Sequence, residues 1–122
     1  MGVISAFIAS VGQDAKAHGY TVIFADLGPD SWEKNYPNLF QELVQKSSGG
    51  GVQVRGYSRM QEDGKVFRDK LTGERGVRFT PGHFTKEAPD KFSVTGEWDE
   101  TRDKGHFVRH KVIRDGAKWE VL

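Results

Sequence analysis

The sequence predicts an α+β fold in which two N-terminal helical segments, with a strand between them, pack on a curved, mainly antiparallel sheet of about six or seven strands. Three observations support this prediction. Apolar residues near the N-terminus recur at helical spacing, and from Val52 onward the apolar spacing changes to every second residue. Close to the C-terminus, Asp115-Gly116 is a strong signal for a two-residue hairpin turn.

Composition limits the domain count and the classes of function. A chain of 122 residues has the usual size of one domain, so we expect a single α+β domain over 1–122, with a helical half at 1–48 and an antiparallel sheet half at 52–122. The 18 basic and 17 acidic residues give a formal net charge of +1, so no global attraction to nucleic acid or to anionic membranes is expected. The absence of cysteine excludes disulfides, thiolate metal sites and a cysteine nucleophile. No run approaches the ~20 apolar residues that span a bilayer, so we expect a cytoplasmic protein with no membrane partner.

The helical half is predicted to contain two helices on either side of a buried strand. The first helix should run for about four turns and end at His18-Gly19, because glycine suits the left-handed position that closes a helix. The apolar run within residues 20–27 predicts a strand that is buried on both faces. A second helix is expected from Pro37 to about Lys46, since proline is tolerated at a helix start but not inside. The buried stripes are Val3, Ile4, Phe7, Ile8, Val11 and Ala15 for the first helix, and Leu39, Phe40, Leu43 and Val44 for the second.

Residues 52–60 and 66–71 are predicted to form a hairpin around Asp63-Gly64. The turn would pair Met60 with Phe67 and Ser58 with Asp69. Strand alternation then gives one apolar face, and it places Asp69 where it does not neutralise the basic reverse face. The apolar face would consist of Val52, Val54, Met60, Phe67 and Leu71, and the basic face of Arg55, Tyr57, Arg59, Arg68 and Lys70.

That basic face has two interpretations. Arginines with an aromatic among them suit a phosphate backbone and a stacked base, which makes nucleic-acid binding an alternative function. Charged side chains on an exposed strand also protect a sheet from aggregation, and a solvated outer face is the simpler interpretation. After this hairpin, the sequence predicts a strand at 77–80 that Pro81-Gly82 interrupts, and a polar loop at 86–90.

The last 32 residues predict a three-stranded antiparallel meander. The Asp115-Gly116 turn would pair Val112 with Trp119 and His110 with Val121. Directly paired residues share a face of a sheet, so the meander should present one apolar face to the helices. That face would consist of Phe92, Val94, Gly96, Trp98, Val108, His110, Val112, Trp119 and Val121.

His110 is the candidate functional residue because it is a histidine in the middle of an apolar face. If His110 lies opposite Gly96, its imidazole has room to point into a cavity between the helices and the sheet. Apolar surroundings favour the neutral ring, so we assign His110 as a tentative catalytic acid or base, with Trp98, His106, His110 and Trp119 binding a ligand. The alternative is a core histidine that is hydrogen-bonded to a backbone group or to a buried tyrosine or aspartate.

The remaining candidates point to no recognisable catalytic centre. His106 and His110 are four residues apart on a predicted strand, which separates them by ~13 Å, too far for two nitrogens that each lie ~2.1 Å from one metal ion. Asp26 follows the buried strand and is a candidate general base only if it lines a cavity. No nucleophile elbow, phosphate loop, HExxH motif or dinucleotide fingerprint is present. We therefore expect neither a metal nor a cofactor, and whether the protein is an enzyme stays open.

Residues 94–98, Val-Thr-Gly-Glu-Trp, and residues 112–121, Val-Ile-Arg-Asp-Gly-Ala-Lys-Trp-Glu-Val, resemble the C-terminal meander of the ketosteroid-isomerase-like (nuclear-transport-factor-like) α+β rolls. The resemblance covers this meander alone and carries over no catalytic residue. It implies a cavity between helices and sheet, homodimerisation through the outer sheet face, and either small-molecule chemistry or simple binding.

Three functions are consistent with these observations. The first is binding of a small ligand or a protein partner in a cavity between the helices and the sheet. The second is a nucleic-acid-binding or nuclease module that uses the basic strand face. The third is a structural or inhibitory interaction protein of the phage or immunity type.

Overall fold

The computed structural model describes residues 2–27, 38, 41–43, 45 and 51–122. Within these residues the chain forms helix α1, eight strands and one short 3₁₀ turn, and residues 38, 41–43 and 45 are also helical. The elements are α1 (Gly2–Ala17), β1 (Val22–Ala25), β2 (Gln53–Gly56), the 3₁₀ turn (Tyr57–Arg59), β3 (Met60–Asp63), β4 (Val66–Asp69), β5 (Arg75–Ala88), β6 (Lys91–Thr101), β7 (Lys104–Asp115) and β8 (Lys118–Val121).

The strands form one curled, mixed sheet, which confirms the α+β class and corrects the sheet type. The strand order is β2-β1-β5-β4-β6-β7-β8, with β3 paired to β4 and a further pairing between β5 and β6. β1 runs parallel to both β2 and β5, whereas the other pairings are antiparallel. The prediction of a mainly antiparallel sheet was wrong because β1 lies between β2 and β5 and runs parallel to both. Parallel pairing of β1 with β2 requires a crossover connection between Ala25 and Gln53.

β1 separates two apolar clusters, as expected for a strand buried on both faces. All four of its residues are buried. Ile23 and Ala25 belong to the main core beneath α1, and the face of the sheet on this side is called the inner face. Val22 and Phe24 point to the opposite side, the outer face, where they pack with Met60, Phe67 and the half-buried Tyr57 in a second, smaller core.

α1 ends where the sequence predicts. Gly19 has a φ of 93°, and the Tyr20 amide donates to the Ala15 carbonyl at 3.0 Å. The helix packs across β6, β7 and β8 with Phe7 against the Phe79 ring at 5.5 Å. Leu43 is buried in the same core, whereas Leu39, Phe40 and Val44 lie outside the described residues.

The turns predicted at Asp63-Gly64 and Asp115-Gly116 are each displaced by one position, and in the C-terminal hairpin this displacement leaves the predicted faces intact. Val112 pairs with Val121 and Arg114 with Trp119, so the register differs by two residues from the expected one. The turn begins at Gly116, whose φ is 63°. A glycine at the first turn position is a recognised hairpin preference. Because strand side chains repeat every two residues, a shift of two keeps Val112 and Trp119 on the same face.

The long strand predicted over residues 52–60 does not exist as one element. β2 pairs with β1, the 3₁₀ turn follows, and β3 then pairs with β4, with Met60 opposite Asp69 instead of Phe67. Because the turn interrupts the alternation, side-chain parity is not transmitted from β2 to β3. The predicted common apolar face is therefore wrong: Val52 and Val54 lie in the main core, Met60 and Phe67 lie in the outer one, and Leu71 is 77% exposed.

β5 passes through the predicted interruption by means of a bulge. Pro81 pairs with Gly96 and Phe84 with Val94, so β5 has one residue more than β6 over this interval. Proline has no amide hydrogen to contribute to a ladder, and bulges are among the few places where a sheet tolerates it. The strand then continues to Ala88, which shortens the polar loop expected at 86–90.

Gly76 of β5 lies in close contact with β1, and a substitution there tests this contact. A Cβ at Gly76 would lie 2.7 Å from both the Val22 carbonyl oxygen and the Phe24 ring. Since a backbone oxygen cannot move aside readily, we expect Gly76→Ala to lower the free energy of unfolding by about 1–3 kcal/mol.

The control is Gly12→Ala in α1, where an added Cβ would meet only ordinary contacts at 3.5 Å. Alanine favours helix over glycine by about 0.5–1 kcal/mol, so this variant should be as stable as the parent or more stable. Urea unfolding measures both. Equal effects of the two substitutions would contradict the tight β1–β5 contact.

Candidate functional site

A cavity of about 500 Å³ opens on the outer face of the sheet, where β5 and β6 pair. Its size falls within the range of small-molecule sites. Trp98 and Phe79 are paired neighbours that face the main core, so the residues that alternate with them point outward. The cavity is lined by Asp26, Arg78, Thr80, Pro81, Gly82, Gly96, Glu97 and Phe107.

An ion pair between Arg78 and Asp99 fixes the polar side of the cavity. Arg78 Nη2 lies 2.9 Å and Arg78 Nε 3.2 Å from Asp99 Oδ2. The guanidinium also lies over the Phe67 ring, 5.2 Å from its centroid. This cation–π contact with a residue of the outer core helps to position the arginine. Asp99 is 95% buried, and such a pair is costly to break because either charge would be left in poorly solvated surroundings.

A second carboxyl group lies beside this pair. Glu97 and Asp99 are two residues apart on β6, and the facing residue across from Asp99 is Gly105. Both carboxyl groups converge over Gly105: a Cβ there would clash with Asp99 Oδ1 and lie 3.1 Å from Glu97 Oε1. The negative charge of Asp99 raises the pKa of Glu97; burial and a hydrogen bond to Asp99 act in the same direction, and Arg78 opposes them. The Glu97 carboxyl group therefore retains its proton more readily than an ordinary glutamate does.

The residues predicted to bind a ligand lie on the inner face and do not form a single group. Trp98 is fully buried in the main core, and its indole Nε1 has no hydrogen-bond partner within the described part of the chain. The His106 ring stacks on Trp98 at 4.1 Å. His110 is half-buried, lies opposite Val94 instead of Gly96, and contacts the Phe7 ring at 5.8 Å.

Trp119 is half-buried further along the same face, 5.6 Å from the Phe92 ring. Because His110 is four strand residues from His106, roughly 13 Å separates them. The condition under which His110 would have room to enter a cavity, a position opposite Gly96, is not met, since Val108 lies opposite Gly96. The assignment of His110 and its neighbours to a ligand site stays a prediction.

Asp69 neutralises two arginines of the predicted basic face, Arg55 and Arg59, contrary to expectation. Arg55 Nη1 and Arg59 Nη2 lie 2.9 and 2.8 Å from Asp69 Oδ2, and Arg55 Nη2 also reaches Glu74 at 2.8 Å. Arg68 pairs with Asp63 at 3.0 Å. The prediction assumed that residues 52–60 form one strand opposite β4, and the 3₁₀ turn invalidates that geometry.

The two other members of the predicted basic face differ from the arginines. Lys70 is exposed, with no ion pair to any described residue, and Tyr57 packs on the outer core. The surface therefore presents far less free positive charge than the composition of these strands suggests.

The carboxylate of Asp69 is the centre of this ion-pair network. It is fully buried and accepts hydrogen bonds from the backbone amides of Leu71 and Thr72 at 2.7 and 3.0 Å. It also forms ion pairs with Arg55 and Arg59. Burial alone would raise its pKa, but the amide donors and the two arginines outweigh burial and lower the pKa to about 2.

Sequence reasoning missed Arg78, Glu97 and Asp99. The strand pattern could have predicted that Glu97 and Asp99 point outward, because they flank Trp98, which was predicted to point inward. Arg78 lies in another strand, and nothing local indicates that it pairs with Asp99.

The shift of Asp69 gives a pH-dependent prediction. Its folded pKa lies below its ordinary value of 3.8, so its stabilisation is present above pH 3.8 and is lost as the pH falls toward 2. We expect wild-type stability to fall between pH 5 and pH 2, with about 2 kcal/mol of that fall removed by Asp69→Asn. Urea unfolding at each pH measures the difference. Asp103→Asn, at an exposed carboxylate paired with Lys65, is the control and should keep the wild-type pH dependence. Parallel curves for wild type and Asp69→Asn would contradict the network.

Comparisons with protein-family models, with curated proteins and with solved structures each gave no match for this chain. The resemblance of the C-terminal meander to the ketosteroid-isomerase-like rolls therefore stays a prediction. No helix among the described residues is long and apolar enough to cross a membrane.

Proposed function

We propose that the protein binds a small organic amine in the outer-face cavity, through Glu97 and Phe107. The observation that carries this proposal is the convergence of the Glu97 and Asp99 carboxyl groups over Gly105 at the edge of the cavity. The expectation of small-ligand binding is thus retained, but the site is moved from the inner face to the outer face.

The electrostatics of the carboxyl pair favour a cation. Asp99 is already paired with Arg78, whereas the negative charge of Asp99 disfavours ionisation of Glu97. An ammonium group beside Glu97 would relieve this repulsion and form a charge-assisted hydrogen bond. An anionic ligand would instead add a further negative charge next to two carboxyl groups.

Phe107 provides the apolar part of the site. It lies opposite Glu97 on β7, lines the cavity and is 67% exposed. An exposed aromatic ring beside a carboxylate suits a ligand that has an apolar body and a cationic end, since the ring face attracts cations as well as apolar groups. Pro81 and the two glycines of the lining leave room for such a body.

Nucleic-acid binding has less support than it had from the sequence. Three of its four proposed cations are ion-paired: Arg55 and Arg59 with Asp69, and Arg68 with Asp63. A phosphate backbone would have to compete with these carboxylates. Affinity for an oligonucleotide that falls steeply with salt would restore this alternative.

Amide NMR titration with phenethylamine and with 3-phenylpropionate, which differ in the sign of their charge, tests the proposal. We expect phenethylamine to shift the amides of Gly82, Glu97 and Phe107, and 3-phenylpropionate to leave them unchanged. Glu97→Gln should weaken amine binding by about tenfold, because it removes a charge-assisted hydrogen bond.

Glu62→Gln is the matched control, since Glu62 is an exposed strand glutamate that does not line the cavity. It should leave amine binding unchanged. Equal responses to the two probes, no response to either, or shifts confined to the surroundings of His110 and Trp119 would each overturn the proposal.

A further inference from the structure

We propose that His18, Glu100 and His106 form a binding site for a zinc ion on the inner face of the sheet. One ligand atom from each residue lies within 4.8 Å of the others. This site lies on the opposite side of β6 from the amine cavity, and it does not depend on the proposed function. The pair considered from the sequence, His106 and His110, is not the one that the fold brings together.

Two long-range features assemble the three side chains. The pairing of Trp98 with His106 places His106 on the inner face of β7, and Glu100 follows Trp98 by two residues on the same face of β6. The C-terminal end of α1 lies over this position. The ring of His18, the residue after the helix, is 5.1 Å from the Trp98 ring and 5.1 Å from the His106 ring.

The hydrogen bond of His18 leaves one ring nitrogen available to a metal ion. His18 Nδ1 lies 2.9 Å from the Asp14 carbonyl oxygen. A carbonyl can only accept, so Nδ1 carries the hydrogen and Nε2 presents a lone pair. Metal-binding histidines are usually held in this way, with the second ring nitrogen donating to a carbonyl or a carboxylate.

The carboxylate of Glu100 is also oriented by a hydrogen bond from a neighbouring side chain. The Tyr20 hydroxyl donates to Glu100 Oε1 at 2.9 Å, and Arg75 Nη2 in turn donates to the Tyr20 oxygen at 3.1 Å. These contacts hold one oxygen of Glu100 and direct the other, Oε2, toward the two imidazoles. Such outer hydrogen bonds orient metal ligands and strengthen their binding.

Glu100 Oε2 and His106 Nε2 form a direct hydrogen bond at 2.6 Å. Zinc would replace the shared hydrogen, and the two atoms would then each lie ~2.0–2.2 Å from the ion. Lys104 Nζ lies 3.3 Å from the same oxygen, but its side chain is 65% exposed and can turn into solvent. A surface ion pair of this kind contributes little, so its loss does not oppose metal binding strongly.

The ligand set selects the class of metal. Two imidazole nitrogens and one carboxylate oxygen suit zinc and the late first-row metals better than calcium or magnesium, which prefer oxygen alone. Three protein ligands leave a tetrahedral position open, and 30% of the His106 side chain is exposed to solvent. The Trp98 ring, stacked on His106 at 4.1 Å, forms an apolar floor beneath the site.

The four histidines of the chain supply a matched test. Isothermal titration of the untagged protein with Zn²⁺ should give one site per chain. His18→Ala and His106→Ala should each weaken binding by at least tenfold, while His83→Ala and His110→Ala should not change it. Tyr20→Phe removes the hydroxyl that donates to Glu100 and accepts from Arg75 but leaves all three proposed ligands in place, so it should weaken binding by about tenfold.

His18 is exposed, so His18→Ala gives a decisive result even if His106→Ala unfolds the protein. Absence of zinc binding by the wild type, or undiminished binding by His18→Ala, overturns the proposal. Loss of the site in His83→Ala or His110→Ala overturns it as well. Amine binding at the outer cavity should be the same in wild type and His18→Ala, which separates this test from that of the proposed function.

Discussion

The register between β6 and β7 is the constraint on which both candidate sites depend. Trp98 lies opposite His106, and its burial in the main core fixes which side of β6 faces α1. Since strand side chains alternate, Glu97 and Asp99 must then point outward and Glu100 inward. A shift of one residue would exchange the two faces and place an indole in solvent, so the core itself maintains the arrangement.

β1 is the second element on which the outer cavity depends, because it joins the two cores of the protein. It pairs in parallel with β2 on one side and with β5 on the other, so neither of its edges is free. Its side chains alternate between the main core beneath α1 and the smaller core on the outer face. The outer core supports Arg78 through the Phe67 ring, and Arg78 supports Asp99. The outer cavity thus depends on a chain of contacts that begins with a buried strand only four residues long.

Local patterns predicted much of this structure, and long-range pairing accounts for what they missed. The end of α1 at Gly19, the burial of β1 and the inward face of the meander follow from helical spacing, an apolar run and strand alternation, which are properties of short segments. The meander faces were correct although its turn was displaced, because a displacement of two residues preserves them. The parallel pairing of β1 could not be predicted in this way, since an apolar run indicates burial on both faces but does not say which strands lie beside it or in which direction they run.

Local sequence patterns were equally unable to predict contacts between distant segments in the candidate sites. Asp69 binds arginines from β2 and the 3₁₀ turn, and parity within an assumed hairpin placed it on the wrong face. His18 and Glu100 are 82 positions apart, so their proximity depends on how α1 crosses the sheet. By contrast, Glu97 and Asp99 are neighbours on one strand, and their common face could have been read from the inward position of Trp98.

Carboxyl-carbon NMR of Glu97 as a function of pH, in wild type and in Asp99→Asn, tests most directly whether β6 brings its two outward carboxyl groups together. The charge of Asp99 is the largest cause of the raised pKa of Glu97. We therefore expect Glu97 to titrate above the ordinary glutamate range in wild type, and its pKa to fall when Asp99 is replaced. An ordinary pKa for Glu97 in both proteins would contradict the convergence over Gly105, and with it the register from which both sites are derived.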